Sequence, residues 1–194
     1  MNLNNDGLRF IIEQETGGED EYNKHPEWPG EASGITIGIG YDLGYNDALT
    51  VSRDWSAHVD RIDLARLVAV SGVKGADAHA KLPFIKDMTI PWSAALDVFK
   101  EVTVPKFYAQ MLKIYPQADF LEPEQTAALL SLVFNRGNSL SGPRRQEMLE
   151  IKVALANNEL DKIPDLFREM KRLWPDTRGL RLRRDREADL FATA

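Results

Sequence analysis

The sequence predicts an α+β, mainly helical fold: a small N-terminal β-lobe packed on a larger helical lobe, with a cleft between them. Three observations lead there. From about residue 46 onward, apolar residues return at helical spacing in one segment after another. Residues 19–44 instead gather Gly, Pro and β-forming residues. Pro91 and Pro123 each stand where a first helical turn would begin. No repeat or low-complexity linker interrupts the 194 residues, so a single domain is expected. Its β-lobe would lie at about 18–45, and its helical lobe at about 46–194 together with the N-terminal helix.

Taken in order, the first helix is expected over Asp6 to Glu15, capped by Asp6 and ended by Gly17-Gly18. The segment from Gly34 to Gly44 alternates Ile35, Ile37, Ile39 and Tyr41 with Thr36, Gly38, Gly40 and Asp42. Read as a strand, it puts the first set in the core and the second on a bare, polar face. Helices are then expected over Asp54–Ala69 and over Pro91–Leu112, the latter kinked or divided at Pro105. Pro123–Asn135 is apolar nearly all round, as a central buried helix must be. Gly137 or Gly142 ends it, and Gln146–Ala156, Ile163–Leu173 and Arg183–Phe191 complete the set.

Composition narrows the function. Hydrophobic residues make up 43% and charged residues 28%, an ordinary globular balance. The absence of cysteine excludes a disulfide framework, a thiol nucleophile and cysteine metal sites. The formal net charge of -6 argues against a nucleic-acid partner. The C-terminal arginines, Arg178 to Arg186, are interrupted by acidic residues and read as a solvated helix face. His25, His58 and His79 lack ligand spacing, so neither metal nor cofactor is expected. The first six residues carry no signal-peptide pattern, and no apolar run approaches a membrane span. The expectation is a monomer made soluble in the cytoplasm, without a membrane partner, and delivered by another system if it acts outside.

Candidate chemistry lies in two places. Leu8, Ile11 and Ile12 share one face of the first helix, and Glu15 continues that stripe, whereas Glu13 faces water. A carboxyl group partly withdrawn from water favours its neutral form, as a general acid requires. The same position suits a helix-end Glu that turns outward or pairs with an Arg. The second place is the Thr36, Gly38, Gly40, Asp42 face, where two glycines leave room for a ligand. That pattern equally fits a Gly-rich hairpin with Asp42 as a turn or cap residue. A glycosidase needs one group to protonate the leaving oxygen and another to activate water or stabilise the cationic sugar. A helix-end Glu facing a strand with Thr and Asp supplies both.

The run Glu15-Thr16-Gly17-Gly18, then Tyr22, then Gly34-Ile35-Thr36-Ile37-Gly38-Ile39-Gly40-Tyr41, resembles the phage-type lysozyme family. The continuation Tyr41-Asp42-Leu43-Gly44 is most similar to its pesticin-like branch. Leu132 to Gly137 resembles the helix end bordering that family's cleft, and Trp174 through Phe191 resembles its C-terminal pattern. The resemblance implies a lysozyme-like fold and a muramidase, such as a phage endolysin or antibacterial lytic enzyme, acting on bacterial peptidoglycan. It implies Glu15, Asp42 and Thr36 as catalytic residues. Tyr22, Gly38, Gly40, Asn135 and Arg183 would contact substrate, with Arg183 (or Arg184) pairing with Glu15. The chain departs from the simplest members in a longer loop after Tyr22 and in having no aspartate just beyond it. Asp20, and Glu27 or Glu31 if the loop folds inward, therefore remain alternatives to Asp42, and Trp28 in that loop is a candidate sugar platform. Inversion through water is the expected stereochemistry. Rival readings are a lytic transglycosylase using Glu15 alone and a non-catalytic wall-binding protein.

Overall fold

The computed structural model describes residues 1–194. It has ten α-helices and one two-stranded sheet, so the chain is α+β and mainly helical. No helix is long and apolar enough to cross a membrane. The chain divides into two compact units, Glu15–Val104 and Met1–Gln14 with Pro105–Ala194. Residues 46–104 therefore belong with the hairpin, where the sequence had placed them with the helical remainder.

Helix α1 spans Asn5–Thr16. It starts earlier than expected because Asn4, not Asp6, caps it: the Asn4 side chain accepts from Gly7 N at 2.8 Å. Asp6 sits in the first turn and pairs with Arg9. Ile11 and Ile12 are buried, Leu8 and Glu15 are half-buried, and Glu13 is exposed, as the stripe predicts.

In the unit Glu15–Val104, the expected strand is a hairpin. Strands β1 (Thr36–Ile37) and β2 (Tyr41–Asp42) pair antiparallel, Thr36 opposite Asp42 and Ile37 opposite Tyr41. Gly38 and Gly40 make the reversal, with φ of 57° and 68°, where a side chain would be strained. The inward set is still as expected: Ile35, Ile37, Ile39 and Tyr41 are all buried. Trp55 packs edge-on to Tyr41, with ring centroids 5.5 Å apart, and Tyr41 donates to Asp54 at 2.8 Å. Burial, together with the Asp54 carboxylate, pushes the Tyr41 hydroxyl far above its ordinary pKa.

The expected helix Asp54–Ala69 is two helices, α2 (Ala48–Trp55) and α3 (Arg61–Val70). Asp47 caps the first, and Asp60 caps the second by accepting from Ile62 N and Asp63 N. Those caps, rather than apolar spacing, set the boundaries. Helix α4, Gly75–Lys81, has no counterpart in the sequence reading. Helix α5 (Trp92–Val98) passes through a π-helical turn at Phe99–Thr103 into α6 (Val104–Ile114). Pro105, which lacks an N–H to continue the helical ladder, lies two residues past the end of that turn.

In the other unit, α7 (Pro123–Arg136) is buried along nearly its whole length and ends at Gly137. A capping box of Glu122 and Gln125 starts it. Helices α8 (Gln146–Ala156), α9 (Ile163–Glu169) and α10 (Arg178–Ala192) follow. A cluster of charge is sealed between α7 and α10. Glu187 is fully buried and accepts from Arg184 at 2.8 Å, Arg183 at 3.2 Å and the Ser131 hydroxyl at 2.6 Å. A lone charge there would be prohibitive, but paired and hydrogen-bonded it is tolerated.

Candidate functional site

Helix α1 ends in the sequence Glu15-Thr16-Gly17-Gly18, and Thr16 fixes the turn. Its hydroxyl accepts from Gly18 N at 3.0 Å. The chain then runs to Tyr22, whose ring packs edge-on against Trp92 at 5.1 Å and whose hydroxyl donates to the Ile90 carbonyl at 3.1 Å. Two further bonds hold this loop: Ile90 N to Lys24 O at 2.8 Å, and His25 Nδ1 to Met88 O at 2.8 Å. A carbonyl only accepts, so Nδ1 of His25 carries the proton. Burial raises the Tyr22 hydroxyl to about 12.

Beyond Pro26 the loop turns back and joins the hairpin. Glu27 and Thr36 exchange both backbone hydrogen bonds, at 3.0 and 2.7 Å. Directly paired residues put their side chains on one face, roughly 4.5–5.5 Å apart at Cβ. Glu27, Thr36 and Asp42 therefore form one cross-strand row. Asn23 steadies the outer end of that row, donating to Glu27 Oε2 at 3.0 Å.

Glu27 and Thr36 of that row border a pocket of about 340 Å³. Glu15, Glu21, Tyr22, Glu27, Thr36, Gly38 and Gly40 are among its lining residues. The structure thus brings together five residues singled out from the sequence: Glu15, Tyr22, Thr36, Gly38 and Gly40. Glu27, an alternative to Asp42, also lines the pocket, as does Glu21, which no sequence motif marks. The place of Glu27 opposite Thr36, nine positions further along the chain, depends on the cross-strand register.

Asp42 is bound to the backbone. Its carboxylate accepts from Gly34 N at 3.1 Å and from Gly44 N at 2.7 Å, capping the 3₁₀ turn Leu43–Tyr45. Gly34 must be glycine, since a Cβ there would lie 2.3 Å from Asp42 Oδ1. Asp42 is not among the residues lining the pocket. Asp42 thus clamps the loop through its backbone N–H groups, the cap role that the sequence pattern also allows. Trp28 is also engaged: its ring stacks on His79 at 4.6 Å and its Nε1 donates to the Ser33 carbonyl at 3.1 Å. Asp20 is exposed and does not line the pocket.

The two remaining expected residues lie in the other unit. Arg183 belongs to the Glu187 cluster and donates to the Ser131 carbonyl at 2.9 Å and the Gln14 carbonyl at 3.5 Å. It therefore steadies the turn of α1 one residue before Glu15. Asn135 accepts from Arg184 at 3.3 Å and borders a second pocket with Arg136, Arg144, Arg145, Trp174 and Leu180.

Residues 7–123 match the family described as a domain of unknown function, DUF8812. The match covers more than half of the chain, and the chain belongs to that family. No curated protein matches it.

Proposed function

We propose that this DUF8812 member is a lysozyme-like peptidoglycan hydrolase. It would be a muramidase cutting the β-1,4 bond between N-acetylmuramic acid and N-acetylglucosamine. The observation that carries the reading is one pocket shared by the helix-end Glu15 and the Glu27–Thr36 edge, floored by two glycines. Glycines let a sugar ring approach the backbone closely, and the carboxyl groups supply acid and base.

In this reading Glu15 protonates the glycosidic oxygen as the bond breaks. Glu27 takes a proton from a water held by the Thr36 hydroxyl, and that water attacks the anomeric carbon. The configuration inverts, because water arrives from the face opposite the leaving group. Glu27 replaces Asp42 in this role because it borders the pocket while Asp42 caps a turn. The enzyme works as a monomer on the glycan strand, reached after release or delivery by another system.

The test is clearing of a purified peptidoglycan suspension by wild type, Glu15→Gln, Glu27→Gln and Asp42→Asn, each checked for folding by circular dichroism. Loss of clearing in the first two variants, with Asp42→Asn active, supports the reading. Activity lost only in Glu15→Gln, with 1,6-anhydro sugars as product, indicates a transglycosylase. A folded wild type that binds walls of several chemotypes without clearing them indicates a binding protein.

A further inference from the structure

The second pocket, in the unit Met1–Gln14 with Pro105–Ala194, has a volume of about 360 Å³ and no carboxylate in its lining. It lies at the C-terminal end of α7, beside the turn Pro143–Arg145 and under Trp174. Three arginines, Arg136, Arg144 and Arg145, face it.

Their charge is not matched locally. Arg136 is only 8% exposed, its Nε has no hydrogen-bond partner, and another of its nitrogens donates to the Arg144 carbonyl. Arg145 donates to the Met148 thioether at 3.3 Å, a weak and uncharged acceptor. The carboxylate whose charge Arg136 feels is Glu147, and Glu147 is paired with Arg172 at 2.5 Å. Glu187 is sealed against Arg183 and Arg184. Burial, reinforced by the positive charge of Arg145, Arg184 and Arg144, lowers Arg136 to about 10. In a chain of net charge -6, this concentration of cations is a local exception.

Trp174 holds the geometry. The Arg136 guanidinium lies 4.8 Å from its ring centroid and the Arg184 guanidinium 5.8 Å. Cation–π contact keeps a planar guanidinium oriented without neutralising it. Leu180 and the Trp174 edge add an apolar wall beside the charges.

We infer that this pocket is a binding site for a phosphate group, carried on a sugar or glycerol unit that packs against Trp174 and Leu180. Arginine forks match phosphate oxygens, and such charge-assisted bonds are about twice as strong as neutral ones. Three unneutralised guanidinium groups balance a doubly charged phosphate better than a single carboxylate. The volume leaves room for the group that bears it. This site is independent of the Glu15 pocket, so it stands or falls apart from the hydrolase reading.

The experiment is calorimetric titration of the full chain at low ionic strength with inorganic phosphate, and in parallel with glycerol phosphate. Sodium chloride of matched ionic strength is the control. The variant is Arg144→Gln/Arg145→Gln, in which the buried Arg136 is left in place. Wild type should bind phosphate saturably, and the double variant at least tenfold more weakly. Melting without phosphate should show the variant as stable as wild type or more so, since a repulsion has been removed. Tighter binding of glycerol phosphate than of inorganic phosphate supports a phosphate ester as the ligand, and equal binding overturns the packing of a sugar or glycerol unit against Trp174 and Leu180. Absence of saturable binding beyond the chloride control, or equal affinity in the double variant, overturns the proposal.

Discussion

The two pockets are opposites in charge. The one beside Glu15 is bordered by Glu15, Glu21 and Glu27 and by no lysine or arginine. The one beside Trp174 is bordered by three arginines and by no carboxylate. They also differ in how their polar groups are held. Around Glu15, positioning comes from the backbone: the Glu27–Thr36 bridge, the Asp42 clamp and the Thr16 turn. Around Arg136, it comes from side chains and from a buried ion cluster on α7 and α10. Backbone hydrogen bonds fix the Glu27–Thr36 edge, the kind of fixed geometry that the proposed proton transfer needs. A pocket built from arginine stems tolerates adjustment and suits recognition.

That contrast is broken most severely at Glu15. Glu15→Gln should reduce peptidoglycan cleavage by about 10²–10⁴-fold with an unchanged circular dichroism spectrum, the range for a general acid. Next comes the buried cluster. Glu187→Gln leaves two buried guanidinium groups without their carboxylate and should cost about 3–5 kcal/mol in denaturant unfolding. Glycan cleavage by the folded fraction should persist.

Asp42 sharpens the comparison because it separates clamp from catalyst. Asp42→Ala leaves the N–H groups of Gly34 and Gly44 unanswered and should cost about 1–3 kcal/mol. Asp42→Asn keeps an acceptor oxygen and should keep most activity. If Asp42→Asn is folded and inactive, the carboxylate is chemical after all, and Glu27 is not its substitute. A smaller effect is expected at the turn. Gly38→Ala forces a side chain into a left-handed conformation, 3.1 Å from the Trp55 ring, at about 1–2 kcal/mol.

The smallest effect is in alkali. The Tyr22 hydroxyl is raised to about 12 by burial, so the folded state holds its proton more tightly than the unfolded chain. Its contribution is fully present below pH 10 and is lost as pH rises through about 12. Ultraviolet titration of wild type against Tyr22→Phe should remove a phenolate transition near that upper value. A Tyr22 transition near pH 10 would show that the ring is not packed against Trp92 as described.

Much of this was legible because it obeys simple periodicity. The Leu8, Ile11, Ile12 stripe located α1 and put Glu15 at its end, and the apolar run after Pro123 located a buried α7. Pro105 marked the break that appears as a π-helical turn. What was not legible depends on partners distant in sequence. Alternation in residues 35–41 gave the buried set correctly, yet a period of two cannot say where the chain reverses. The positive φ angles of Gly38 and Gly40 decide that. The start of α2 rests on a side-chain cap from Asp47, and the start of α3 on one from Asp60. The register of Glu27 on Thr36 pairs residues nine positions apart, so no local pattern announces it.

The most direct test of the central claim is mass analysis of soluble products from purified peptidoglycan treated with wild type and with Glu15→Gln. As a muramidase, wild type should release muropeptides ending in a hydrated, reducible N-acetylmuramic acid, and the variant none above background. Products ending in a 1,6-anhydro sugar, equal release by both proteins, or no release by folded wild type would contradict that claim.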